Sequence, residues 1–172
     1  RPFSINQMIA DSMGTAPLLD GNALYCLPRD SNTLYAIDSR TGELIWHSYL
    51  PLPKEILGIR AGRILVRGLT GLIAFDARDG KVLWEVPYPE EFLRQAYLRG
   101  SSIYVATQKK LYRYEAETGI ERETRGLPNG QSMLFHFSLL GGNVYLVGEQ
   151  PSPMASKQVL APKGVGELLW EL

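Results

Sequence analysis

Cysteine is almost missing from this chain: Cys26 stands alone among 172 residues. One cysteine makes no internal disulfide and no thiolate metal cluster. In a strand it reads as a small buried apolar residue rather than a reactive thiol. Histidine is nearly as scarce, with only His47 and His136. Neither sits in a His-x-Glu or His-x-x-x-His spacing, so no zinc or haem site is expected. His47 directly follows Trp46 and points to the opposite face of a strand, while His136 alternates with Phe135 and Phe137; both read as hydrogen-bonding groups on strands.

An excess of charge is missing as well. Lys+Arg and Asp+Glu each total 18, so the formal net charge is zero. Phosphate neutralisation supplies most of a nucleic-acid binder's affinity, so no nucleic-acid partner is expected. No apolar run approaches the roughly 20 residues that span a bilayer, so no direct membrane span is expected. The chain opens Arg1-Pro2-Phe3-Ser4, with neither an initiator Met nor an apolar signal core. Two readings follow and both stay open: a removed targeting peptide, or a piece of a longer chain. Gly-x-x-x-x-Gly-Lys-Ser/Thr, Gly-x-Gly-x-x-Gly and Gly-x-Ser-x-Gly are absent. Gly58 to Gly62 and Gly68 to Gly71 read as turns flanking strands, with no helix behind them to focus phosphate charge. Sustained helical periodicity is lacking, and Glu90 to Leu98 reads as a connecting loop or the start of a further strand unit.

What is present is a repeat. Hydrophobic residues make up 45 % and charged residues 21 %, a globular composition. Leu34-Tyr35-Ala36-Ile37-Asp38, closing with Thr41-Gly42 and Trp46, aligns with Leu72-Ile73-Ala74-Phe75-Asp76, closing with Asp79-Gly80 and Trp84. A third copy runs Leu111-Tyr112-Arg113-Tyr114-Glu115 with Thr118-Gly119, but has Glu123 where Trp is expected. The turn glycines at 42, 80 and 119 are spaced 38 and 39 apart. A weaker fourth copy, Gly164 to Trp170, keeps the glycine-to-tryptophan spacing but has Pro162 in place of the acid. A second feature shares the period: glycines 21, 62, 100 and 142 each precede an alternating apolar run.

Each unit thus offers four short runs of Leu, Ile, Val and Tyr between turn residues. In Asp-x-x-(Thr/Asp)-Gly the acid accepts backbone N–H groups across the turn, and the glycine supplies the positive φ that a Cβ opposes. The strand after the turn ends in Trp, a large apolar wedge between adjacent units. Four antiparallel strands every 40 or so residues describe a β-propeller blade. The expected fold is all-β, a propeller of about four four-stranded blades. The blades are placed at about 16–51, 52–89, 90–128 and 129–172. Residues 1–15 form an N-terminal segment in which Phe3 to Ile9 is a candidate closing strand.

The pattern Leu-Tyr-Ala-Ile-Asp-x-x-Thr-Gly-x-x-x-Trp resembles the repeat of the pyrroloquinoline quinone (PQQ) type of propeller, from about Ala16 to Trp170. That family includes quinone-dependent alcohol and sugar dehydrogenases and propellers fused to kinases or sensor domains. It also includes non-catalytic propellers such as the lipoprotein of the outer-membrane β-barrel assembly machinery, which this chain resembles more. Its rings have seven or eight blades, so four blades imply half a ring. A fragment of a longer protein, two copies closing one ring, and four blades closing on themselves are the three arrangements this leaves. The dehydrogenases of the family hold their quinone with calcium, Glu, Asn and Asp ligands, and often a vicinal Cys-Cys pair; this chain has no such pair.

No catalytic, cofactor-binding or metal-binding residue is therefore assigned and no cofactor is expected. Asp38, Asp76 and Glu115 read as turn acids, and Glu90, Glu91 and Glu117 as loop acids. Lys109-Lys110 reads as a solvated hairpin tip. Candidates for a protein-partner surface are Arg60, Arg63, Arg67, Arg94, Arg99 and Arg113 near strand ends, with Tyr49, Tyr88 and Tyr97, since Arg and Tyr are favoured at interface centres. The loop Glu149 to Met154 is a further candidate, kept extended by Pro151 and Pro153. The function expected is a non-catalytic scaffold or docking subunit outside the bacterial cytoplasm, in the periplasm or cell envelope. Its rival is part of a PQQ- and calcium-dependent dehydrogenase whose site lies outside this chain. A sensor ectodomain is a third reading.

Overall fold

The computed structural model describes residues 16–28, 31–50, 53–88, 95–107, 110–126, 133–140, 143–149 and 167–171. Every regular element among them is a strand. The first sheet is β1 (Leu18–Asp20), β2 (Ala23–Cys26), β3 (Thr33–Asp38) and β4 (Leu44–Tyr49), paired in chain order. The second is β5 (Pro53–Arg60), β6 (Arg63–Gly68), β7 (Gly71–Asp76) and β8 (Val82–Pro87). The third is β9 (Gln95–Arg99), β10 (Ser102–Ala106), β11 (Lys110–Glu115) and β12 (Glu121–Gly126). The fourth, three-stranded among the described residues, is β13 (Met133–Leu140), β14 (Asn143–Glu149) and β15 (Glu167–Glu171). All neighbours are antiparallel. These are the meandering blades of an all-β propeller, as the repeat implies. The chain forms two compact units: β1–β8 with residues 116–119, and β9–β15.

Alternation decides which face is buried. In β3, Leu34 and Ala36 are buried while Tyr35 and Ile37 are half-buried. Within the first unit Tyr25, Leu27, Leu34, Ala36, Trp46 and Leu50 of blade 1 form one cluster with Ile56, Ile64, Val66, Ile73 and Phe75 of blade 2. Burying such side chains yields about 1.5–3 kcal/mol each, which is what holds two separately formed sheets together.

Trp46 is the centre of that joint. Its partner across the strand pair is Ala36, whose small side chain leaves room for the indole. A bulge follows at once, between Ala36 and Ile37, and re-aims the strand. The indole Nε1–H donates to the carbonyl of Ala77 in blade 2 at 3.0 Å. Tyr25 Oη donates to the same carbonyl at 3.1 Å, with its ring 5.9 Å from the indole. Ser48 Oγ, two residues on, donates to Gly80 O at 2.5 Å. Blade 2 repeats the device: Ala74 pairs with Trp84, the bulge falls between Ala74 and Phe75, and Trp84 Nε1–H donates to Glu117 O at 3.1 Å.

The turn glycines carry two constraints rather than the one read from sequence. Gly42, Gly80 and Gly119 all have φ between 72° and 76°. A Cβ at Gly42 would meet nothing within 4 Å, whereas one at Gly80 would lie 2.5 Å from Trp46, and one at Gly119 2.9 Å from Trp84. The second and third turns are seats for the preceding blade's indole.

Two expectations are corrected. Glu167 to Trp170 does not form the outer strand of its sheet: β15 pairs directly with β14, the place of a third strand, and Glu171 lies opposite Asn143 as Asp38 lies opposite Ala23. Glycine-to-tryptophan spacing misled because Leu-Leu-Trp suits either strand. Gly58, Ile59 and Arg60 belong to β5, beside a bulge, and not to a turn. Glycines 21, 62 and 100 do each precede a strand, and they lie in the two-residue hairpin loops Gly21-Asn22, Ala61-Gly62 and Gly100-Ser101. In the second loop both Ala61 (φ 48°) and Gly62 (φ 69°) are left-handed, while only the first residue is in the others. Leu69-Thr70 lies between β6 and β7 as expected, and Gln95 to Leu98 does begin the next blade. Phe3 to Ile9 lies outside the described residues.

Two outcomes follow for denaturation midpoints. Ala61→Asn, better suited to a left-handed site, raises stability by about 0.5–1 kcal/mol, reducing the cost a Cβ residue pays there. Gly42→Ala lowers stability by about 1–2 kcal/mol through φ alone, and Gly80→Ala by about 1–3 kcal/mol more, because the added methyl meets Trp46.

Candidate functional site

The structure sorts the partner-surface residues onto different edges instead of gathering them. In the first unit the β1–β2 and β3–β4 turns share one end of their sheet, since Ser39 N–H donates to Asn22 O at 2.8 Å. The corresponding bond in blade 2 runs from Ala77 N–H to Gly62 O at 2.9 Å. Arg60 (exposed) and Arg63 (half-buried) flank the Ala61-Gly62 loop on this turn edge, with Arg63 paired to Asp76 across the ladder. Arg63 Nη1–H donates to Ala61 O at 2.8 Å. Arg67, Tyr49 and Tyr88 lie toward the opposite edge. Arg67 Nε is 2.7 Å from Glu55 Oε1, Tyr88 Oη donates to Gly68 O at 3.4 Å, and Tyr49 is 71 % exposed.

In the second unit Arg99 ends β9 opposite Ser102, and Tyr97 pairs with Tyr104. Arg113 sits mid-strand, opposite both Tyr104 and Glu123, with Nη2 3.3 Å from Glu123 Oε2. It is therefore not a strand-end residue. Lys110 opens β11, and its N–H donates to Thr107 Oγ1 at 3.0 Å, closing a tight turn. Glu149 ends β14 opposite Met133. Arg94, Lys109 and residues 150–154 of the candidate loop lie outside the described residues.

Asp38 and Asp76 are held as expected. Asp38 Oδ1 accepts N–H groups of Arg40 and Thr41 at 2.8 and 3.2 Å. Asp76 Oδ1 accepts Arg78 N–H at 2.9 Å, and its carboxylate takes the Arg78 guanidinium through two further bonds at 3.0 and 2.7 Å. Glu115 Oε2 receives Arg122 Nη2 at 2.8 Å. These bonds favour the charged form: Arg78, through side chain and backbone, holds Asp76 well below the usual carboxylate range, and backbone N–H groups lower Asp38. Asp79 is lowered by Lys81. Arg40, Arg78 and Lys81 join Arg60 and Arg63 on the turn edge, giving it mixed charge. They were readable from their places inside the turn motif, which fixes the edge they occupy.

His47 is exposed in β4, its ring 6.4 Å from that of Tyr35, its cross-strand partner. His136 lies in β13 opposite Val147. Cys26 is free and half-buried in β2, and burial pushes its thiol pKa up, away from the reactive thiolate. Among the described residues no three His, Cys, Asp or Glu side chains gather as metal ligands would. No helix among them is long and apolar enough to cross a membrane.

Because the folded pKa of Asp76 is depressed, its contribution to stability is present above the ordinary value near 3.9 and is lost as pH falls through the folded value. Asp76→Asn thus melts below the wild type near pH 7, and the gap closes as pH drops below about 4. Thermal melts of both proteins from neutral to acid pH check this.

Against known proteins, a family model described as outer membrane protein assembly factor BamB matches residues 30–171. No curated protein matches the chain. Among solved structures, BamB from Moraxella catarrhalis is similar with a TM-score of 0.57 and 16 % identity over 91 % of this chain and 50 % of that one. The chain thus spans half the length of that relative. The computationally designed Ika4 protein is similar with a TM-score of 0.63 and 12 % identity, over 91 % of this chain and 89 % of that one. The quinohemoprotein alcohol dehydrogenase from Comamonas testosteroni has a TM-score of 0.54 and 19 % identity, over 66 % of this chain and 21 % of that one. Identities this low speak for the fold alone. With the repeat, the blade order and a family model covering most of the chain in agreement, the protein belongs to the PQQ-like β-propeller family to which BamB also belongs.

Proposed function

We propose that this chain is a non-catalytic propeller scaffold, a protein-binding part of a larger assembly at the bacterial cell envelope. One observation carries the reading: the repeat acids are engaged within the blades. Asp38 and Asp76 are tied to their own turns and Glu115 to Arg122. The description of the matching family model supports an assembly role. Blade divisions at about 16–51, 52–89, 90–128 and 129–172, with residues 1–15 preceding them, belong to the same proposal. So does an extracytoplasmic location.

The alternative is a stretch of a PQQ- and calcium-dependent dehydrogenase, supported by the likeness to the alcohol dehydrogenase. A quinone–calcium site calls for carboxylates converging on one point, and the described acids do not converge. The residues described here therefore do not fit that group, and on this alternative its ligands lie elsewhere.

Capture from the native source, with intact-mass measurement of the bait, separates the readings. The scaffold predicts stable, stoichiometric protein partners, and no new absorbance band or dye reduction after addition of quinone and calcium. A bait that comes down alone and reduces dye in the presence of quinone and calcium supports the dehydrogenase instead.

A further inference from the structure

The outer strands of the first three sheets share one backbone pattern and differ in what they show to water. β4, β8 and β12 each stand last in their sheet among the described residues. Each carries a bulge at the same place, where the ladder passes from Ala36 to Ile37, from Ala74 to Phe75 and from Arg113 to Tyr114. Ile45, Leu83 and Arg122 are therefore equivalent, each being the residue that the ladder skips. In β8 the skipped residue and its neighbour are apolar and open to water: Val82 is 55 % and Leu83 45 % exposed. Lys81 and Glu85 flank them, and both are exposed. An exposed apolar last strand is a template for a further strand, and charged side chains are a usual means of blocking it.

The charges along β8 complement themselves. Between Lys81 and Pro87 the charged side chains are Lys81 and Glu85, two residues either side of Leu83. Set antiparallel against a second copy of itself about Leu83, the strand places Lys81 opposite Glu85 of the copy, and two-fold symmetry makes that contact twice. Leu83 then meets its own equivalent, and Val82 stands opposite Trp84, a β-branched residue against an aromatic one. Lys81 Nζ already lies 2.8 Å from Asp79 Oδ2, but an ammonium has three N–H groups and can hold a further carboxylate. The same register in β12 sets Arg122 against Arg122 and Glu121 against Glu123, like charges directly opposite, which disfavour pairing. In β4 it sets Glu43 against His47, a pair with one fixed charge rather than two.

We propose that β8 is a self-association edge, to which a second copy of this chain adds its own β8, antiparallel and centred on Leu83. The occupant is a second copy because the charges that complement β8 in this register are those of β8 itself. Such pairing differs from two copies closing one ring, which would join blade faces rather than strand edges, and it does not depend on the scaffold reading. Contact over residues 81–85 buries well under the roughly 800 Å² per partner of a standard interface, so the association is weak and concentration-dependent.

Sedimentation equilibrium of the full chain, from about 10 μM to about 1 mM, tests it in the range where weak pairs assemble. The wild type follows a monomer–dimer equilibrium. Glu85→Lys and Lys81→Glu each raise the dissociation constant at least about fivefold, because like charges then face each other. Combined in one chain, the two substitutions bring it back to within about twofold of the wild type, since the opposed pair is re-formed with its signs exchanged. A second measurement uses a Cys26→Ser background. There Leu83→Cys forms a covalent dimer on mild oxidation, because a residue on the two-fold axis lies within disulfide reach of its own copy, and Arg122→Cys does not. A chain that stays monomeric throughout overturns the proposal. So does a dimer indifferent to the single charge reversals, a double reversal that fails to restore it, or equal crosslinking at positions 83 and 122.

Discussion

Each blade of this propeller is a small sheet that closes its own backbone hydrogen bonds but cannot bury its own faces. The contact between an indole and a glycine turn resolves this in the first unit. Trp46 leaves blade 1 beside Ala36, lies on Gly80 of blade 2, and donates to Ala77 O. The alanine makes room for the ring, the bulge aims it, the missing Cβ lets the next turn approach, and the carbonyl satisfies the one polar atom that the ring would otherwise bury unpaired. The apolar cluster from Tyr25 to Phe75 surrounds this contact. Blade 2 reaches Gly119 in the same manner through Trp84.

The turn acids belong to the same structure. Asp38 and Asp76 order the loops that present the glycines, and their carboxylates are consumed by neighbouring N–H groups and guanidinium groups. A carboxylate stabilised in this way is a poor proton carrier near neutral pH, because its charged form is strongly preferred. The turn edge is thereby left with mixed charge, arginines and lysine interspersed with acids already paired. Tyr49, Tyr88 and Arg67 lie toward the other edge.

Blade 3 shows what happens when the donor side of the contact is exchanged. Backbone register and bulge are unchanged, yet Arg113 and Arg125 both approach the Glu123 carboxylate. The exchange leaves secondary structure untouched, since a charged strand and an apolar strand make the same ladder, and changes only what the sheet offers outward.

The sequence by itself determined the class of fold, the repeat length, the turn chemistry and the family. These depend on local rules: alternation of apolar residues along a strand, an acid four residues before a glycine, and a period near 40 that local spacing displays directly. Tertiary structure alone decided the rest. Gly80 and Gly42 look identical in the motif, and only the packed neighbour makes one a seat and the other merely a turn. Arg113 read as one more strand-end arginine until its register placed it opposite Glu123. Trp170 kept the spacing of an outer-strand tryptophan but lies in a strand paired directly with β14. The candidate arginines and tyrosines, close in sequence, separated onto different edges because consecutive strands run in opposite directions. In each case the deciding partner is tens of residues away or on a neighbouring strand, and spacing along one chain carries no information about which face or which blade that partner occupies.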